Sequence, residues 1–115
     1  MQSFRYAWAG LRHFAANEHN GWIHAAATVL VVVAAVYFGL TPDEWRWIVL
    51  AIALVWLAEA FNTAIERLSD AVTIERNENI GYAKDVAAGA VLAAAVFATI
   101  IGLTIFLPHV VALVR

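Results

Sequence analysis

In AEAFNTAIERLSD, residues 58–70, Asn62, Glu66 and Asp70 follow Glu59 by three, seven and eleven positions. At about 100° per residue, these steps bring all four side chains onto one stripe of a helix. The preceding run, WRWIVLAIALVWLA from Trp45 to Ala58, is apolar apart from Arg46 and leads into Glu59 with no turn residue between. Such a run reads as a membrane span, which puts Glu59 at or just inside the hydrocarbon edge. An ionisable group lying deep there costs roughly 2.5–3.5 kcal/mol, so it needs a partner or a purpose. A membrane helix that ends in carboxylates on one face is a candidate cation site.

The composition agrees. The chain has 115 residues, of which 63% are hydrophobic and 14% charged. A soluble domain of this size would be short of polar surface, so the reading is a single-domain, all-α integral membrane protein. Three segments, 22–40, 45–69 and 84–107, each offer about 20 residues, enough to cross a hydrocarbon core of about 30 Å. Before them, residues 1–20 place Phe4, Ala7, Trp8, Leu11, Phe14 and Ala15 at helical spacing with Arg5, Arg12 and Asn17 among them. That pattern suits an amphipathic helix lying in the membrane interface. Thr41-Pro42-Asp43-Glu44 fits a helix start. Trp45 and Trp47 fit an aromatic belt. Pro108 and His109 are expected to close the third span.

Five basic residues (Arg5, Arg12, Arg67, Arg76, Lys84) fall on the N-terminal helix and second connection, against two (Arg46, Arg115) on the opposite side. The positive-inside rule then puts the N-terminus and the Glu59–Asp70 stripe in the cytoplasm. No basic start followed by a short apolar core marks a cleavable signal peptide. A formal net charge of −2 argues against a nucleic-acid partner. With no cysteine, disulfides and thiolate chemistry are excluded. No P-loop or other glycine-rich phosphate loop is present.

Carboxylates, an asparagine and a lysine at the cytosolic edge of a membrane suit phosphoryl transfer. That reaction needs a hard divalent cation, positioned phosphates and a base for the acceptor hydroxyl. Mg²⁺ takes oxygen ligands, usually one or two carboxylates plus nucleotide phosphates, and Glu66 with Glu18 could supply the carboxylates. Glu59, nearest the lipid, could take the proton of a membrane-borne alcohol. Lys84 could neutralise phosphate charge. Plainer readings stand beside these. Glu66 and Asp70 could be solvated residues of an emerging helix, and Glu18 a surface charge. Lys84-Asp85 could simply open the third helix, where an acid suits the macrodipole. His13, His19, His24 and His109 show no metal-ligand spacing and read as interfacial polar residues. The small residues of VAAGAVLAAAVFA favour close helix packing. From another functional class, a small ion-transport protein with Glu59 as its cation site remains open, as does a non-catalytic scaffold.

Two motifs and a third segment carry a resemblance. Glu59-Ala-Phe-Asn62-Thr-Ala-Ile-Glu66-x-x-x-Asp70 is one and Lys84-Asp85-Val-Ala-Ala88-Gly-Ala-Val-Leu92 the other, with Gly10-Leu11-Arg12…Asn17-Glu18 alongside. Over nearly its whole length the chain resembles the bacterial integral-membrane diacylglycerol kinases, a family that includes undecaprenol kinases. The resemblance implies a homotrimer with active sites shared between subunits, in the bacterial cytoplasmic membrane. It implies transfer of the γ-phosphoryl of MgATP to a lipid hydroxyl, diacylglycerol or undecaprenol. By matched position, Glu59 would be the catalytic base and would contact the lipid with Ala88. Glu18 and Glu66 would hold Mg²⁺, Asn62 and Asp70 would support the site, and Tyr6, Glu18, Glu66, Glu75, Arg76, Asn77, Lys84 and Asp85 would meet the nucleotide. The chain departs from the pattern at Gly21-Trp22, where many members have Phe-Arg, and at Asn77, a histidine in some. Its Lys84–Val91 segment looks more like undecaprenol kinases.

Overall fold

A computed structural model of the chain describes residues 2–17, 19–73 and 75–115, with side chains at all of these except Asn17, His19 and Asn20. Within them lie four helices: α1 (Gln2–Asn17), α2 (His19–Phe38), α3 (Pro42–Val72) and α4 (Glu78–Val114). The last three are long and apolar enough to cross a membrane. α1 is short, and its expected apolar face delivers one buried anchor, Phe14, against the edge of the Trp56 ring. Gly21, buried where α2 leaves the α1 corner, is required by close approach. A Cβ built there would lie 2.6 Å from the Phe14 carbonyl oxygen and 2.9 Å from that of Ala15.

The α2–α3 connection is closed by local chemistry at both ends. Gly39 adopts φ +64°, the left-handed conformation that suits glycine. The Gly39 and Leu40 amides then donate back to Val36 and Ala35, both at 3.2 Å. This is a Schellman cap, and its apolar partner Leu40 is buried with Ala35 and Ile48. α3 starts as the Thr-Pro-Asp-Glu pattern predicts. The Thr41 hydroxyl accepts from the Glu44 amide at 3.2 Å, Glu44 Oε1 accepts from the Thr41 amide at 3.0 Å, and Pro42 opens the first turn.

The Ala35, Leu40 and Ile48 cluster, joined by Phe38, Trp45, Ile105 and Phe106, forms the tight end of the molecule. Here α4 is tied to α3 by His109 Nε2 and Glu44 Oε2 at 3.0 Å, with the His109 ring over Phe38 at 5.6 Å. α3 and α4 pack along much of their length, whereas α2 meets α3 more sparingly. Between the three helices runs an apolar cavity of about 430 Å³. Val31, Ile52, Val55, Ala98 and Leu103 line it, and His24 and Thr28 join them on its α2 wall. Leu30, Val36, Leu92 and Phe97 are more than half exposed on the outer faces, as lipid-facing or chain-facing positions would be.

Two expectations need correction. The third long helix begins at Glu78 rather than 84, because Asn77 caps it: its Oδ1 accepts from the amides of Asn79 at 2.9 Å and Ile80 at 3.2 Å. Lys84 and Asp85 therefore lie beyond the first turn and do not open the helix. Nor do Pro108 and His109 end it: α4 continues to Val114 with Pro108 inside. A proline removes one backbone bond, which a membrane helix tolerates when packing holds the next turn. The His109 contacts to Glu44 and Phe38 do this.

Candidate functional site

At about 1.5 Å per residue, Glu59 lies about 26 Å along α3 from Pro42, and Asp70 about 42 Å. Against a hydrocarbon core of about 30 Å, the polar stripe straddles the membrane edge opposite the Glu44–His109 end. Burial divides the stripe. Glu59 is 6% exposed and Asn62 8%, while Glu66 and Asp70 are exposed. Ser69, which the motif does not mark, is the third buried polar residue of α3.

Glu59 is held from α2. His24 Nε2 stands 3.0 Å from Glu59 Oε1, and the two side chains are 20% and 8% exposed. The other carboxylate oxygen, Oε2, is buried and has no hydrogen-bond partner among the described residues. Asn62 Oδ1 is in the same condition, while its amide nitrogen reaches Glu66 Oε1 at 3.5 Å. Most buried polar atoms are paired. Two orphaned acceptors, one helical turn apart at a membrane edge, therefore point to a site that receives donors or cations from a ligand.

The scaffold behind the pair is a polar brace. The Trp56 indole N–H donates to Thr28 Oγ1 at 2.9 Å, and the Thr28 hydroxyl donates to the His24 carbonyl at 2.7 Å. Trp56 also has the His24 ring at 6.1 Å and the Phe14 ring at 6.0 Å, so one residue of α3 fixes both α1 and α2. The expectation that the histidines are plain interfacial polar groups is thus corrected for His24 and His109, each of which meets a carboxylate. The position of His24 within an apolar run was the available signal. Its partner lies 35 residues onward, and only the packing of α2 against α3 reveals it.

Beyond the membrane edge, Lys84 Nζ reaches Asp70 Oδ1 at 3.7 Å, so the start of α4 is brought beside the end of the stripe. Tyr6 is exposed and lines a cleft between α1 and α3 with Gly10, Thr63, Ala64 and Arg67. Glu75 and Arg76 are exposed in the connection, and Asn77 serves as the α4 cap. Asp85 and Ala88 are exposed on α4, where Ala87 is the buried neighbour. Glu18 lies outside the described residues. Among those described, no three His, Asp or Glu side chains gather closely enough to hold a metal by themselves. A cation such as Mg²⁺ takes few protein carboxylates and completes its oxygen shell from phosphates and water. The oxygens of Glu66 and the orphaned Asn62 Oδ1 are donors of the right chemistry.

Comparison with known proteins identifies the family. The family model for prokaryotic diacylglycerol kinase matches residues 5–106. An undecaprenol kinase of Bacillus subtilis is 41% identical over 108 residues, 94% of this chain and 88% of the relative. A diacylglycerol kinase of Synechocystis is 40% identical over 114 residues, 98% of this chain but 65% of that longer protein. The diacylglycerol kinase of Escherichia coli K12 is 34% identical over 95 residues, 83% of this chain and 78% of the relative. A match across all three long helices and the carboxylate stripe, with relatives that are all lipid kinases, favours enzyme over transporter. The chain belongs to the prokaryotic diacylglycerol kinase family and is an ATP-dependent, membrane-embedded lipid kinase.

Proposed function

We propose that the chain transfers the γ-phosphoryl of MgATP to the primary hydroxyl of diacylglycerol, giving phosphatidic acid, with Glu59 as the base. The carrying observation is the buried Glu59 carboxylate at the membrane edge, one oxygen held by His24 and the other without a hydrogen-bond partner among the described residues. In the reaction, the acceptor oxygen forms a bond to the γ-phosphorus and the bond from that phosphorus to the bridging oxygen of ADP breaks. The hydroxyl proton passes to Glu59, and ADP leaves. Catalysis is mostly positioning and charge neutralisation.

Glu66 and Glu18 would hold Mg²⁺ with the nucleotide phosphates, and Asn62 and Asp70 would support that end of the stripe. Bound Mg²⁺ supplies charge stabilisation for the phosphoryl group in flight. Tyr6, Glu75, Arg76, Asn77, Lys84 and Asp85 would surround the nucleotide. Lys84, already 3.7 Å from Asp70, joins this polar end to α4. The bias of basic residues supports a cytoplasmic site and N-terminus in the bacterial inner membrane. The exposed apolar faces supply surface for self-association, and the resemblance suggests a homotrimer with shared sites.

A second acceptor, undecaprenol, is favoured by one observation. Ala88 stands where many proteobacterial diacylglycerol kinases carry serine, and the surrounding segment resembles that of undecaprenol kinases. One experiment tests both readings: Mg²⁺-dependent transfer from ATP by the purified protein in lipid discs, with the two lipids offered side by side. Labelling of diacylglycerol supports the first reading and labelling of undecaprenol alone the second. Labelling of neither, by a folded protein that binds MgATP, refutes both.

A further inference from the structure

We propose that His24 is a positioning residue for the transfer step: it holds one oxygen of Glu59 so that the other faces the acceptor hydroxyl. The inference rests on reading Glu59 as the base. A carboxylate that acts as a base is ionised and can only accept hydrogen bonds, so at 3.0 Å the His24 Nε2–H is the donor and Glu59 Oε1 the acceptor. Free rotation would make the two carboxylate oxygens equivalent. A donor fixed on Oε1 breaks that equivalence and leaves Oε2, buried and without a hydrogen-bond partner among the described residues, as the proton acceptor.

The donor is itself fixed. The His24 ring lies 6.1 Å from the Trp56 ring, and the Thr28 hydroxyl is bonded to the His24 carbonyl at 2.7 Å while accepting from the Trp56 indole at 2.9 Å. This brace sets the register of α2 against α3 one turn from the pair. No proton is transferred through His24 in this scheme. It orients Glu59 and offsets part of the cost of holding a charge at the hydrocarbon edge.

The test uses the full chain in lipid discs containing diacylglycerol and undecaprenol, as wild type and as His24→Phe, His24→Gln, His24→Asn and Glu59→Gln. Turnover, the KM for MgATP and thermal stability are measured on each. A misplaced reacting group costs on the order of 100-fold. His24→Phe is therefore expected to lower kcat by about 10- to 100-fold while the KM for MgATP stays within about twofold. His24→Gln, whose amide N–H reaches as far as Nε2–H, is expected to recover most of the loss. His24→Asn, which is polar but too short, is expected not to recover it.

A His24→Phe enzyme with wild-type kcat overturns the proposal. So does equal turnover of the Gln and Asn variants, a comparison that remains decisive if the Phe variant does not fold. Activity that merely tracks melting temperature across the three His24 variants also overturns it, since that is the mark of a structural role. Glu59→Gln separates the two ideas. If it retains turnover, the base reading itself fails. If it is inactive while His24→Phe is not, only the positioning role fails.

Discussion

Replacing Thr28 by valine removes one hydroxyl and almost no volume from the contact between α2 and α3. The hydroxyl accepts from the Trp56 indole at 2.9 Å and donates to the His24 carbonyl at 2.7 Å. The carbonyl keeps its place in the α2 backbone ladder, so the real loss falls on the indole N–H. An unpartnered buried donor costs about 1–3 kcal/mol, whereas interhelical bonds in a membrane average about 0.6 and reach about 1.7. Thr28 and Trp56 are half-buried, so about 1 kcal/mol is expected for Thr28→Val. Trp56→Phe removes the same bond and weakens the ring contacts to Phe14 and His24, each worth about 0.5–1.5 kcal/mol. Its cost is therefore about 2 kcal/mol. If the bond is what the two residues share, the double variant falls short of the sum by about 1 kcal/mol. The assay is reversible unfolding in mixed micelles at one protein concentration, since self-association shifts apparent stability. Additivity to within about 0.3 kcal/mol, or a stabilised Thr28→Val, would refute the claim that this hydroxyl ties α2 to α3.

Other substitutions probe the remaining features. Glu59→Gln should abolish lipid phosphorylation while MgATP still binds, as read by nucleotide titration; retained turnover contradicts the base role. Glu66→Gln should weaken ATP binding most at limiting Mg²⁺, and unchanged affinity there would argue against a metal ligand. Gly21→Ala forces a Cβ to within 2.6 Å of a backbone oxygen and should destabilise by about 1–3 kcal/mol as the α1 corner opens; an unchanged melting temperature would show that the corner yields freely. Asp70→Asn breaks an exposed pair with Lys84 and should change stability by less than about 1 kcal/mol, so a larger loss would mean that the pair is buried in the assembled protein.

Much of the fold was legible because membrane helices announce themselves through length and composition, and because local caps obey local rules. Thr41-Pro42-Asp43-Glu44 carries its capping box within four residues, so the start of α3 follows from the sequence alone. The stripe from Glu59 to Asp70 was legible for the same reason, since its members share one helix. The far end of α4 was not, because Pro108 is read locally as a stop, while the contacts that carry the helix past it come from Glu44 and Phe38. The pairing of His24 with Glu59 was equally hidden. It depends on how two helices are set against each other, and no periodicity within α2 encodes a partner on α3. The division of the stripe into buried Glu59 and Asn62 and exposed Glu66 and Asp70 also depends on where α2 and α4 happen to cover α3.

The depth of Glu59, about 26 Å along a helix that enters the membrane at its other end, changes what concentration means for this enzyme. With Glu59 as the proposed base, a lipid alcohol would reach that carboxylate by diffusing in the plane of the bilayer. Its chains never leave the hydrocarbon. The quantity that sets the rate is then the mole fraction of acceptor in the membrane, and adding inert phospholipid should slow turnover at fixed bulk concentration. The nucleotide arrives from the aqueous side and obeys ordinary molarity. The two substrates of one reaction are thus counted in different units, two-dimensional for one and three-dimensional for the other. A cell can throttle the reaction by altering the composition of its membrane without altering the level of either the enzyme or ATP.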